Sequence, residues 1–378
     1  MAERRAIFED VAETQKPAAT PGGVSRGGSA ARLATRAWLA ILFVLVVIMI
    51  AVGGATRLTD SGLSITEWAP ISGAIPPLSL SEWMDEFARY RLTDEYRLQN
   101  QGMTMAEFQF IYWWEWGHRQ LGRFIGLVWA VGYLGLWLTK RIPRGWHGRL
   151  VIPGALGGLQ AVVGWWMVYS GLAPGMLDVA SYRLAIHLGL AFLILAVLAG
   201  FILRLSRSEA ELMQARRAGD RKLRGMTTGV LHLAFLQILM GALVAGIDAG
   251  RNYVDWPLMA GEFTPPAMWA LEPWWRNLFE NDGTVQFFHR ILGYLLVAFG
   301  TGVWIVSRRN GVASTRRAYN WLVLALLAQI AIGIVTVMHA SPLNLALAHQ
   351  FGAVIVVSMA LRARFHAAHP LPQSVRTQ

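Results

Sequence analysis

WLAILFVLVVIMIAVGGA, residues 38–55, runs for 18 residues without one charged side chain. As an α-helix rising 1.5 Å per residue it would extend about 27 Å, close to the ~30 Å hydrocarbon core of a bilayer. It is apolar on every face, which reads as a membrane span rather than a surface helix. Seven more apolar runs of similar length follow, at about 118–139, 150–171, 183–203, 226–247, 289–306, 318–338 and 343–361. The expectation is an all-α, polytopic membrane protein with eight transmembrane helices.

The composition agrees. Of 378 residues, 54% are hydrophobic and only 15% are charged, against roughly a quarter charged in a soluble domain. Seventeen tryptophans and 38 glycines fit membrane interfaces and packed membrane helices. A net charge of +11 would point to nucleic acid in a soluble chain. Here Lys and Arg gather in alternate loops, so membrane lipid is the expected partner and nucleic acid is not. No cysteine is present, which excludes disulfides, thiolate metal sites and cysteine nucleophiles.

Arg32 and Arg36, Lys140 and Arg141, Arg216 to Arg224, Arg308 and Arg309, and Arg362 and Arg364 mark one set of loops. The opposite set mixes acids with bases, as in Asp248, Asp255, Glu262 and Glu280. The positive-inside rule then puts both termini in the cytoplasm and two long loops, about 57–117 and 248–288, outside. Residues 1–37 read as a flexible cytoplasmic tail. Glu3, Glu9, Asp10 and Glu13 argue against an organellar targeting peptide.

The two halves resemble one another. Asp60-x-Gly62 matches Asp248-x-Gly250 and Glu67-Trp68 matches Asp255-Trp256, both at an offset of 188. Gly54-Ala55 matches Gly241-Ala242 with a residue of slippage. His118-Arg119-x-Leu121-Gly122 matches His289-Arg290-x-Leu292-Gly293 at an offset of 171; Gln160-x-x-x-Gly164 matches Gln329-x-x-x-Gly333, and His187 matches His349. A shift by four helices preserves orientation, so two parallel four-helix-bundle repeats are expected, 38–205 and 226–364. They are joined by a cytoplasmic linker, 206–225, and followed by a cytoplasmic tail, 365–378.

His118, His187, His289 and His349 open the four runs that start outside. Counting from the inner basic residues places three of them about 26–33 Å up and His349 only about 20 Å up. Ionisable groups inside a membrane usually face a bundle interior and serve a purpose. Two histidines on neighbouring helices can hold a haem iron from opposite sides. Zinc usually collects three or four ligands. Gly122 and Gly293 lie one turn beyond their histidines, where a missing side chain would admit a flat macrocycle. His339 is a rival ligand, and His232 reads as a packed polar residue.

The repeats differ in their chemistry. Glu115 shares a helix face with His118, and its counterpart is the neutral Gln286; Arg57 corresponds to Ala245. One reactive pocket and one resident cofactor follow, with the carboxylate placed to move protons or stabilise developing positive charge. Arg119 and Arg290 can pair with haem propionates or extend to the interface.

GGATRLTDSGLSITEW at 53–68, EFQFIYWWEWGHRQLGR at 107–123, GWWMVYSGL at 164–172, YRLAIHLGLA at 182–191, GALVAGIDAG at 241–250, VQFFHRILG at 285–293 and LALAHQFGA at 345–353 together resemble the haem A synthase family, in its cysteine-free proteobacterial and mitochondrial branch. The resemblance implies oxidation of the C8 methyl of haem O to a formyl by successive hydroxylations with water-derived oxygen, giving haem A for cytochrome c oxidase. It implies that His289 and His349, with Arg290, hold a permanent haem b. It also implies that His118 and His187, with Arg57 and Arg119, hold the substrate haem, and that Glu115 is catalytic. The implied location is a bacterial inner membrane, the mitochondrial inner membrane being the alternative. Implied partners are a haem O synthase and oxidase assembly factors; homo-oligomerisation and the electron acceptor stay open. The residues alone leave two alternatives: a dihaem cytochrome exchanging electrons with quinone, and a haem carrier or chaperone.

Overall fold

In the computed structural model, which describes residues 26–372, every long apolar run is a helix. In chain order the helices are α1 (Arg26–Leu58), α2 (Leu80–Tyr90), α3 (Asp94–Leu98), α4 (Met105–Leu138), α5 (His147–Gly171) and α6 (Ser181–Leu205). They continue as α7 (Glu209–Arg217), α8 (Arg221–Gly246), α9 (Asn277–Glu280), α10 (Asp282–Ser307), α11 (Ala313–Met338) and α12 (Leu343–Ala368). Eight of them, α1, α4, α5, α6, α8, α10, α11 and α12, are long and apolar enough to span a bilayer.

Helix ends differ from expectation wherever a capping residue lies outside the apolar run. α4 starts 13 residues before His118 because Thr104 and Glu107 form a capping box. The Thr104 hydroxyl accepts from the Glu107 amide, and the Glu107 carboxylate accepts from the Thr104 amide. Such reciprocal bonds satisfy two otherwise orphaned donors and fix a helix start. Residues 1–25 of the expected N-terminal tail lie outside the described residues, whereas 26–37 already belong to α1. The 206–225 segment contains α7, opened by a Ser208–Glu211 capping box, and the start of α8, capped by the Asp220 side chain. α12 runs past Arg362 to Ala368, and 373–378 lie outside the described residues.

Within the first half α1 packs on α4 and α6, and α5 lies against both α4 and α6. In the second half α8 packs on α10 and α12, and α11 lies against both α10 and α12. Each set of four thus closes on itself. The two sets meet through α1, α6, α8 and α12, with α6 against α8 and α1 against α12. One apolar core centres on Leu39, Leu42, Leu195 and Leu198 and takes in Ile238, Val354 and Val357 from the second half. Another joins Leu223, Val230, Val303, Leu322, Leu326 and Ala360. In the second core Thr227 and Tyr319 hydroxyls share a 2.5 Å hydrogen bond, satisfying two buried polar groups.

Two lids cover the histidine-bearing end. The first, between α1 and α4, is built on α2 and α3. Its core is aromatic: Phe87, Tyr90, Tyr96, Phe108 and Tyr112 pack ring on ring. The second, between α8 and α10, folds around Asn277, whose buried amide donates to the carbonyls of Leu271 and Trp274.

Candidate functional site

The four even-numbered spans expected to carry histidines do carry them, and the histidines meet in pairs. His118 of α4 faces His187 of α6 with ring centres 6.5 Å apart and planes at 65°. His289 of α10 faces His349 of α12 at 6.2 Å and 78°. Each pair crosses the diagonal of its own bundle. His349 is not the deeper one. From each histidine to the inner end of its helix is about 27–30 Å at 1.5 Å per residue, because α12 continues beyond the arginine used as its anchor.

The other diagonal supplies glycine. A methyl group at Gly164 would stand 2.8 Å from Cε1 of His187, and one at Gly333 would stand 2.7 Å from Cε1 of His349. At Gly53 it would be 3.1 Å from Nε2 of His118, and at Gly241 3.1 Å from Cε1 of His289. Every imidazole therefore rests against a helix backbone that has no side chain at that point. This fixes the register of the two halves: Gly53, not Gly54, answers Gly241. Gly122 and Gly293 serve differently from expectation. A methyl group there would meet Met49 and Gln237 of the neighbouring helix, at 3.6 and 3.3 Å, rather than open space.

Three glutamines sit one turn from three of these glycines. The amide of Gln160 donates to the main-chain carbonyl of His187 at 3.0 Å, Gln237 to that of His289 at 3.0 Å and Gln329 to that of His349 at 2.9 Å. The same amide nitrogens lie 3.1–3.3 Å from ring nitrogens of those histidines. In the sequence Gln160 and Gln329 stand out only as markers of the repeat, and Gln237 does not stand out. The available signal is Gln-x-x-x-Gly on three odd-numbered spans.

Two imidazole nitrogens on opposite sides of one metal stand about 4 Å apart, twice a bond of ~2 Å, and the ring centres lie about 1 Å further out on each side. Both observed separations match that about 6 Å spacing. Nδ1 of His187 is buried without a hydrogen-bond partner, as are the carbonyl oxygens of Gln160, Gln237 and Gln329. No cluster of three or more His, Asp or Glu able to hold a metal occurs among the described residues. The donor set thus fits a metal that brings its own equatorial ligands, as a haem does. His339 is exposed, its Nδ1 on the Val335 carbonyl, and His232 is exposed rather than packed.

Glu115 is 3% exposed and accepts four hydrogen bonds. The Ser64 hydroxyl and Ile65 amide donate to Oε2, both at 2.7 Å. Arg119 donates to Oε1 through Nε at 3.1 Å and Nη2 at 2.6 Å. Arg119 also donates to the carbonyls of Ile65 and Glu67. The second half repeats the pattern at the same offsets: Arg290 donates to the carbonyls of Tyr253 and Asp255 and to Oε1 of Gln286, and Gln286 donates to the Ala249 carbonyl. Both arginines thus fasten the loop that follows the first span of their half. Arg57 is likewise engaged. Its guanidinium lies 2.7 Å from Asp60, 3.6 Å from Asp178 and 3.0 Å from Asp248 of the other half, with Nε buried and unpartnered.

A second buried acid lies within the first lid, on α3. Glu95 is 3% exposed with an unpartnered Oε2. Burial, reinforced by the charges of Asp178 and Glu115, pushes its carboxyl up to about 8.

The sequence profile of the cytochrome oxidase assembly protein family matches residues 36–361. The chain is 66% identical over 376 residues to the Heme A synthase of Jannaschia sp. (strain CCS1), covering 100% of this chain and 99% of that one. It is 60% identical over 382 residues to the Heme A synthase of Dinoroseobacter shibae, covering 100% and 99%. It is 56% identical over 375 residues to that of Paracoccus denitrificans, covering 99% and 98%.

Proposed function

The chain belongs to the cytochrome oxidase assembly protein family, and we propose that it carries out the haem A synthase reaction. It is an oxidoreductase that takes haem O to haem A. The C8 methyl becomes a formyl by two hydroxylations with water-derived oxygen and loss of one water from the resulting gem-diol. Each hydroxylation releases two protons and passes two electrons to an external electron acceptor. The observation that carries this reading is the combination of two geometrically equivalent histidine pairs with unequal neighbours, Glu115 beside one and Gln286 beside the other.

His289 and His349 are assigned to a resident haem b, which when bound supplies one-electron redox chemistry. His118 and His187 are assigned to the substrate haem. Arg119 and Arg290 follow a ligand by one residue; Arg119 is paired with Glu115, whereas Arg290 is held by neutral acceptors and leaves its charge for a macrocycle carboxylate. Arg57 contributes charge at the rim of the substrate site while its carboxylate partners hold it there. Glu115 is the catalytic group: a carboxylate oriented by four donors, able to stabilise positive charge growing on the substrate carbon and to take up a released proton.

The protein is a multi-pass membrane protein; the assigned location is the bacterial inner membrane with both termini in the cytoplasm. Haem O is expected from the enzyme that makes it, and haem A passes to oxidase assembly factors. Purified protein supplied with haem O tests the reading. Hydroxylated and formylated haems should appear on extraction and chromatography. Unchanged haem O would favour the carrier or electron-transfer alternatives.

A further inference from the structure

Three of the four histidines are anchored by a glutamine, and the fourth is not. At the offset of 188 that relates Gly53 to Gly241, the residue answering Gln237 is Met49. Its methyl end lies against Gly122, as the Gln237 amide lies against Gly293. The space for a glutamine is therefore present beside His118 but holds a thioether, which has no N–H to donate. Among the described residues no side chain donates to the His118 carbonyl, whereas those of His187, His289 and His349 each receive one.

The glutamine bond acts on the position of the ligand. Its donor sits on the neighbouring span and its acceptor is the histidine's own main chain, so it ties the ligand-bearing helix to the wall on which the imidazole rests. α4 is tied to α1 on either side of this point, where Thr56 and Trp38 donate to the main-chain carbonyls of Trp114 and Val128, but at His118 itself no such bond holds the ligand to its wall. A soft thioether adapts to displacement there, because Met has three rotatable bonds and no directional bond to break.

Resting on the assignment of the His118–His187 pair to substrate, we infer that Gln160, Gln237 and Gln329 are positioning residues that hold three of the four histidines in place, and that Met49 leaves His118 as the histidine which lets go first when haem is exchanged. A turnover site must release its product, and a resident cofactor must not leave. One glutamine-to-methionine difference between equivalent positions makes that distinction.

The test uses the full chain in detergent, carrying its resident haem b and loaded with haem O, mixed with excess apomyoglobin as haem acceptor. Haem remaining on the protein is extracted at intervals, and the two haems are separated by chromatography. Haem O should leave the wild-type protein faster than haem b. Met49→Gln should slow the departure of haem O about threefold to tenfold, the weight of one hydrogen bond to a partly buried group, with haem b loss unchanged. Gln237→Met should speed haem b loss by a similar factor. Gln237→Leu, similar in size and without any polar hydrogen, should behave like Gln237→Met, which separates hydrogen-bond donation from the shape of the side chain. Unaltered rates in Met49→Gln with haem b retained, or in both Gln237 variants, would overturn the inference and leave the proposed function intact. A wild-type protein that binds neither haem through histidine, judged by its absorption spectrum, would remove the functional reading itself.

Discussion

Replacing Glu115 by Gln changes one atom and tests the proposed chemistry directly. The second half shows how an amide sits at this position: Gln286 turns its oxygen to Arg290 and its nitrogen to a main-chain carbonyl. A glutamine at 115 that keeps its oxygen on Arg119 must present its nitrogen to Ser64 and Ile65. The Ser64 hydroxyl can rotate and accept, but the Ile65 amide can only donate, so two donors would face each other at the present 2.7 Å. Loss of a charge-assisted bond costs about 1.5–3 kcal/mol, and a buried donor left unpaired costs about 1–3 kcal/mol. The local penalty is therefore on the order of 3–5 kcal/mol, confined to the loop after α1. Removal of a positioned proton-transfer group typically lowers rate by about 10²–10⁴-fold.

Product formation from haem O should accordingly fall below detection in Glu115→Gln while the resident haem spectrum persists. Ser64→Ala separates the two effects. It removes one latch bond to a charged group, worth about 1.5–3 kcal/mol, but keeps the carboxylate, so turnover should fall by about tenfold to a hundredfold and stay measurable. Normal turnover by Glu115→Gln would refute the catalytic assignment. Equal losses in both variants would show that the carboxylate matters as a latch alone.

His289→Ala or His349→Ala should remove or alter the resident haem absorption, and unchanged spectra would move the cofactor elsewhere. Gly333→Ala places a methyl 2.7 Å from Cε1 of His349, overpacking that costs about 1–3 kcal/mol; haem content should drop. Gly302→Ala, with open space at that point, should retain full haem, and equal content in both would discredit the glycine rest. Glu95 predicts a pH effect. Its folded value near 8 exceeds its ordinary 4.5, so between those values the folded protein keeps a proton that the unfolded chain has lost. Stability of the first lid should decline as pH rises across that window, by on the order of a few kcal/mol, and level off above it. Hydrogen exchange at α3, corrected for intrinsic rates, should show this slope; Glu95→Gln should flatten it, and an identical slope in the variant would locate the titration elsewhere.

The spans, their number and the histidine pairs are legible in the sequence because each depends on a local property: length of an apolar run, or a residue type repeated at a fixed offset. Starts of helices are less so. α4 begins at a capping box in a polar stretch, and hydropathy is blind to hydrogen bonds between Thr104 and Glu107. The depth of His349 departs from expectation for a related reason: counting from Arg362 assumes that an arginine marks the membrane boundary, although it can lie within a helix that continues. The engagements of Arg57, Arg119 and Arg290 are not legible. Their acceptors are mostly main-chain carbonyls or carboxylates far away along the chain, and a carbonyl leaves no trace in a sequence. Gln237 escapes notice because its partner is also a carbonyl, although Gln-x-x-x-Gly on α5 and α11 offers a pattern to extend.

α1, like its counterpart α8, forms a wall of its own histidine site and also faces the other half. Gly53 and Met49 line the His118 side, while the Ile50 carbonyl accepts from Gln350, the residue after His349, at 2.6 Å. Four residues on, Gly54 accommodates the same Gln350 side chain. At the outer end Arg57 grips Asp248 and the Gly246 carbonyl at the end of α8. α1 is thereby fixed to both α8 and α12 of the half assigned the resident haem. The most apolar stretch of α4 is the least buried of the eight spans and its ligand has no glutamine tie, although Trp38 and Thr56 of α1 donate to its main chain. Release through His118 would therefore part that histidine from the Gly53 wall, while the bonds of α1 to α8 and α12 hold the two halves together.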